Sequence, residues 1–213
     1  MDIEQGSIFA IPLEKNLGYA FVKCVFIQGA GGSSNLTLKI LDMRSEAFAK
    51  KSSGKIEEAD ELCYRLLMMG RPSVRGKNKW HYLGTQSLTS EEANEVPSFK
   101  QLSGPMLDLI DEKDWSKLNW SVILNFSLMN QVDSLPYASI RHLGPWMHSS
   151  DLDITIRLTM IWLKKLGYDI RSFYNTEELD SPKNVWNKIA YNEAMNIEFY
   201  SEVERKFRGK IIS

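Results

Sequence analysis

By type and spacing, the residues of this chain that could carry chemistry are a glycine cluster, three histidines and two cysteines. Gly29, Gly31 and Gly32 follow an apolar run, as the glycines of a phosphate-binding loop do. No Gly-Lys-Ser/Thr follows them, and residues 36–42 read as a strand where a helix N-terminus would be needed, so a hairpin tip is the better reading. The histidines are His81, His142 and His148, and no two lie at the i, i+4 spacing of a zinc-hydrolase helix. His81, beside Trp80 in an expected strand, reads as a half-buried structural imidazole. His142 and His148 flank Gly144, Pro145 and Trp146 in a turn; with Asp151 or Asp153 they could converge as a metal or acid–base site, an alternative to a plain turn. There is no Gly-x-Ser-x-Gly elbow, and Cys24 and Cys63 lack a catalytic surround and read as small, reduced core residues. No residue is assigned as catalytic or as a metal ligand, and no cofactor is expected.

Charge is balanced globally and segregated locally. The 213 residues include 26 Lys and Arg against 27 Asp and Glu, a net charge of -1, which argues against the broad positive field of a nucleic-acid binder. Basic residues concentrate only at Arg71, Arg75, Lys77 and Lys79, a stretch that reads as a solvated turn. Carboxylates gather in three blocks: Glu57, Glu58, Asp60 and Glu61; Glu91, Glu92 and Glu95; and Asp108, Asp111, Glu112 and Asp114. Such blocks steer a basic partner, for instance a nuclease with a cationic groove, and can close that groove. A loop can present charge without disturbing a core, so Glu57, Glu58, Asp60 and Glu61 are the expected partner-binding residues.

The elements that must position these groups follow from periodicity. Hydrophobic residues make up 43% and charged residues 25%, the balance of a packed globular chain rather than a disordered one. Five strands are expected before residue 100: residues 8–11 closed by Pro12, residues 19–27, the alternating set Leu36, Leu38 and Ile40, the set Leu62, Tyr64, Leu66 and Met68, and residues 80–85. Residues 70–78 would join the last two as a hairpin, and residues 42–61 form a long surface loop. A competing reading makes residues 56–69 a helix, since Ile56, Ala59, Leu62 and Leu66 also have helical spacing. Five short strands favour a small barrel or curled sheet.

Further along, Trp120, Val122, Leu124, Phe126 and Leu128 alternate as a strand expected to pair with residues 135–142. Ser149 or Ser150 can cap a helix that runs through Ile154, Leu158, Ile161 and Leu166 to Gly167. A last helix begins near Pro182 and turns Val185, Ile189, Ala194 and Ile197 inward. The most apolar stretch, residues 154–163, is interrupted by Arg157 and is half the length of a membrane span, and the opening residues lack the pattern of a signal peptide. The expectation is a cytoplasmic chain that does not enter a membrane.

Gly6-Ser7-Ile8-Phe9-Ala10-Ile11-Pro12-Leu13, then Gly18-Tyr19-Ala20-Phe21-Val22-Lys23, resembles the opening of the immunity protein 26 family of bacterial polymorphic toxin systems. Lys79-Trp80-His81-Tyr82-Leu83-Gly84, followed by Leu88-Thr89 and Pro97-Ser98-Phe99, is similar to that family's Trp-x-x-x-Gly segment and trailing loop. Ser7 stands where the family more typically has an acidic residue. The resemblance covers the amino-terminal half. Taken with the strand pattern, the expected architecture is α+β, with an SH3-like curled β-barrel over residues 1–104. A strand-plus-helix region follows over residues 105–213, with or without a shared core. The resemblance implies a cytoplasmic protein that binds and neutralises a cognate toxin, without cofactor or turnover, the toxin being basic if the acidic loop meets it. Some relatives carry a phosphotriesterase label, so a metal-dependent hydrolase is one alternative, although three scattered histidines are few for a two-metal site. An interaction or nucleic-acid module is another.

Overall fold

In the computed structural model the described residues are 3–29, 34–48, 56, 59–73, 75–76, 79–105, 108–147, 149–181 and 184–212. The chain is α+β. Strands β1 (Ser7–Pro12), β2 (Tyr19–Gln28), β3 (Asn35–Ser45), β4 (Leu66–Met69) and β5 (His81–Thr85) form one antiparallel sheet in the order β4-β3-β2-β1-β5. Its β-branched and aromatic runs bury both faces. Phe9, Ile11, Val22, Leu38 and Ile40 point one way, and Ile8, Ala10, Phe21 and Leu41 point the other and meet Ile56. Gly18 makes the β1–β2 connection possible, because at φ +82° it tolerates a conformation that strains other residues, and a Cβ there would lie 2.1 Å from the Ser45 carbonyl.

The sheet is not closed, so of the two expectations, an SH3-like curled barrel or a curled sheet, the barrel does not form: β4 and β5 lie at opposite edges with three strands between them. The expected hairpin through residues 70–78 therefore does not form. β4 instead pairs with the first half of β3, Leu38 opposite Leu66 and Asn35 opposite Met69, and β5 pairs with β1 across a register shift between Ile8 and Phe9. The helical alternative fails from residue 59 on, where the chain runs without helix into β4; Ile56 is helical, and residues 57 and 58 lie outside the described residues. Leu62, Cys63, Tyr64, Leu66, Leu67 and Met68 are all buried, because this segment passes between layers rather than along one face. Part of the expected surface loop, Asp42 to Ser45, belongs to β3, and Ile56 is buried.

Helix α1 (Ser90–Asn94) precedes the second sheet, β6 (Phe99–Leu102), β7 (Trp120–Ile123) and β8 (Gln131–Val132), with α2 (Asp108–Asp111) in the connection between β6 and β7. The expected strand through residue 128 stops at Ile123, where a 3₁₀ turn, Leu124–Phe126, takes Asn125 and Phe126 into left-handed backbone at φ 51° and 56°. Its partner is not residues 135–142 either: β7 pairs with β6 and β8, and α3 (Tyr137–Ile140) is helical after Pro136.

The two long helices form where their signals stand. α4 (Asp151–Lys165) starts at a Ser150 and Asp153 capping box and stops before Gly167, whose φ is +77°. After α5 (Thr176–Asp180), α6 (Val185–Met195) turns Ile189, Ala190 and Ala194 inward, while Ile197 packs on the core beyond the helix end and Pro182 lies outside the described residues. Ile154, Leu158 and Ile161 of α4 and Ala190 and Ala194 of α6 join Phe9, Val22, Leu38 and Ile40 in one hydrophobic cluster, so the helices cover one face of the five-stranded sheet. A smaller cluster gathers Trp115, Trp120, Val122, Ile140, Leu143 and Ile189. Among the described residues no helix is long and apolar enough to cross a membrane.

Candidate functional site: a cleft of paired charges

The Thr89 hydroxyl accepts the Glu92 amide at 3.1 Å and the Glu92 carboxylate accepts the Thr89 amide at 3.0 Å, so the short helix α1 is locked by its own first turn. That box aims Glu92 at the sheet, where Lys23 of β2 and Lys39 of β3 are directly opposite each other. Like charges so placed repel. The Glu92 carboxylate sits between them, 2.7 Å from Lys23 Nζ and 2.9 Å from Lys39 Nζ, and all but vanishes from solvent. Burial pushes the Glu92 carboxyl up, but the two ammonium groups and the Thr89 amide prevail and hold it at about 2.

Beside Glu92 a cleft of about 70 Å³ opens, lined by Lys39, Asp60, Glu61, Arg65, Thr89, Glu91, Glu92, Glu95, Arg205 and Arg208. Arg65 ties its two sides together, donating to Glu61 at 3.2 Å and to Glu95 at 2.9 Å. Burial raises the Glu61 carboxyl against the opposing pull of Arg65 and Lys39. Asp60 stands at the mouth with its side chain 63% exposed, and Nη1 of Arg208 donates to both of its oxygens at 2.9 Å. Slight burial pushes Asp60 up, and Arg208 outweighs it, so the carboxyl lies below its usual value. Arg208 is itself held by the carbonyls of Tyr200 and Val203 at 2.6 and 3.2 Å. Glu91 is exposed on the α1 side.

Of the four residues expected to bind a partner, Asp60 and Glu61 are brought together here, and Glu57 and Glu58 lie outside the described residues. The structure adds what spacing could not show: the second acidic block folds against the first, so Glu91, Glu92 and Glu95 share one cleft with Asp60 and Glu61. The third block stays apart, with Asp114 capping the 3₁₀ turn Trp115–Lys117 and Glu112 near Lys117.

The other candidates resolve into structure. His81 is stacked on Phe48 at 4.2 Å and near Tyr19 at 5.8 Å, as a structural imidazole would be. His142 is fully buried with Nε2 against the Lys210 carbonyl, and burial first, then Lys100 and Arg141, lowers it to about 4. His148 lies outside the described residues. Asp151 accepts the Ser73 amide and Asp153 closes the cap of α4, so both expected partners are engaged elsewhere. Among the described residues no group of three or more His, Cys, Asp or Glu is placed to hold a metal ion. Both cysteines are free and buried, and desolvation pushes the Cys24 thiol up to about 12, the reverse of what a nucleophile needs.

Two interior ionic sites escaped sequence reasoning. Arg157 and Glu193 are 3% and 1% exposed and joined by two bonds of 2.6 and 2.5 Å, with the Tyr64 hydroxyl donating to the same carboxylate and Arg157 Nη1 donating to the Ser149 hydroxyl. An arginine inside the apolar run 154–163 was the available signal, since a buried guanidinium requires a carboxylate. The second site is Lys100, buried among aromatic rings. No protein-family model matches the chain, and comparison with curated proteins and with solved structures returns no match.

Proposed function

We propose that this chain is an immunity-type binding protein that neutralises a basic cognate toxin domain in the cytoplasm, with the mouth of the charged cleft as its contact surface. One observation carries the reading: acidic blocks some thirty residues apart in sequence converge on a single cleft whose geometry is set by a capping box and by arginine bridges. The inner carboxylates Glu61 and Glu92 are neutralised from within; at the mouth Asp60 is exposed yet paired with Arg208, and Glu91 faces solvent. Carboxylates held in place before contact cost less ordering on binding, and the exposed ones at the mouth attract a cationic surface as it approaches. Such a role needs no cofactor, metal or turnover, and two buried free thiols suit a reducing compartment.

The test is association between the purified chain and the toxin domain encoded beside its gene, followed by stopped-flow at several salt concentrations. A double variant, Asp60→Asn with Glu91→Gln, is expected to slow association roughly tenfold at low salt and to flatten the salt dependence, with unchanged circular dichroism. Association that is equally fast and equally salt-dependent in the variant overturns the assignment of this surface. A neighbouring toxin that the chain neither binds nor neutralises overturns the function.

A further inference from the structure

Lys100 of β6 is 1% exposed, and its amine lies 5.0 to 5.8 Å from the centroids of the Tyr64, Trp115, Trp120 and Tyr137 rings. Among the described residues its one hydrogen-bond acceptor is the Arg141 carbonyl at 2.8 Å. The backbone of the same residue clamps the turn that follows α3: the Lys100 amide donates to the Gly144 carbonyl at 2.9 Å, and the Trp146 amide donates to the Lys100 carbonyl at 2.6 Å. We propose that Lys100 makes this turn, residues 141–146, a proton-sensitive latch, closed over the neutral amine and loosened when the amine takes up a proton.

The geometry gives the reason. A neutral amine offers two donors and suits an apolar aromatic chamber; an ammonium offers three donors and a full charge, for which four ring faces and one carbonyl compensate only in part. The charged and titratable groups around it are already committed or reach it only through space. Glu193 on α6 is held by Arg157 of α4, and Glu198 is paired with Arg141 at 2.5 Å. Cys63 and Tyr64 precede β4, the Tyr64 hydroxyl donates to Glu193, and Tyr137 and His142 flank the turn's start. Burial dominates, lowering the lysine to about 7 from 10.5 even though Glu193 and Glu198 favour its proton and Arg157 opposes it. Among the described residues four buried atoms around the chamber lack partners, Tyr137 Oη, His142 Nδ1, Glu198 Oε2 and Trp115 Nε1, so polar capacity lies ready for a rearranged turn. The proton is exchanged with solvent, and no other reactant is needed.

Hydrogen exchange tests the latch. If the opened turn restores an ordinary lysine, the population of the open form, corrected for intrinsic exchange, rises about thirtyfold between about pH 8.5 and about pH 6. The amides of Lys100 and Trp146 report it, and the Lys100→Met variant is expected to show the same protection at both pH values. In parallel, ¹³C NMR of the lysine Cε carbons is expected to show one signal titrating near neutral pH. Equal protection of the wild-type turn at the two pH values, a pH dependence that persists in Lys100→Met, or lysines that all titrate near their ordinary value would each overturn the proposal. The wild-type titration decides the matter even where the methionine variant does not fold.

Discussion

At the residue scale, carboxylates do most of the work that apolar packing cannot do. Glu92 separates two lysines that the β2–β3 register forces side by side, and its carboxyl ionises at about 2 in the folded chain against 4.5 when free. A depressed carboxyl stabilises the fold above its unfolded value, and that contribution fades as pH falls from about 4.5 towards 2. Glu92→Gln should therefore lower stability near neutral pH by about 2–3 kcal/mol and make the acid limb of a urea-stability profile shallower. An acid limb identical in the variant would show that the two lysines do not need their counter-ion.

At the element scale, α4 is the helix whose sequence signals and surroundings agree most completely. Its Ser150 hydroxyl accepts the Asp153 amide at 3.2 Å, Asp153 returns the bond to the Ser150 amide at 3.0 Å, and Lys164 and Lys165 sit in the last turn where the helix dipole favours cations. Ser150→Ala removes a cap without touching the core, so a loss of about 1 kcal/mol in equilibrium urea unfolding is expected. A midpoint that does not move would mean that packing of Ile154, Leu158 and Ile161 on the sheet holds the first turn without help. Capped helices of this kind are legible because the cap, the dipole charges and the apolar stripe are local. β7 was legible only in part: its alternation continues to residue 128, but the left-handed pair Asn125 and Phe126 folds the chain back, and Phe126 joins Phe26, Phe99 and Trp146 in an aromatic cluster.

At the scale of the whole molecule, one hydrophobic cluster draws on β1 to β4 and on α4 and α6 together. Sheet and helices should consequently unfold as one unit: far-ultraviolet circular dichroism and tryptophan fluorescence are expected to superimpose on a single thermal transition. Two resolved transitions would show that the helices leave the sheet independently. The cleft has the same dependence on the whole, since it takes Lys39 from β3, Glu61 and Arg65 from the approach to β4, Glu95 from the end of α1, and Arg208 from residues beyond α6.

The α+β class, the strands β1, β2, β3 and β5, the presence of two long helices, both ends of α4 and the acidic character of Asp60 and Glu61 are legible along the chain, because each rests on side-chain period, capping or charge within a few neighbouring residues. Which strands pair and which charges meet is settled only when the whole chain packs. β4 reads as half of a hairpin with β5 and lies instead at the far edge of the sheet; Glu92 stands in an acidic block expected to face a partner and is buried between two lysines. Strand partners and ion pairs are chosen by the free energy of burying many residues at once, and contacts such as Arg157 with Glu193 or Arg208 with Asp60 join positions 36 and 148 residues apart. Local periodicity carries no record of those distances.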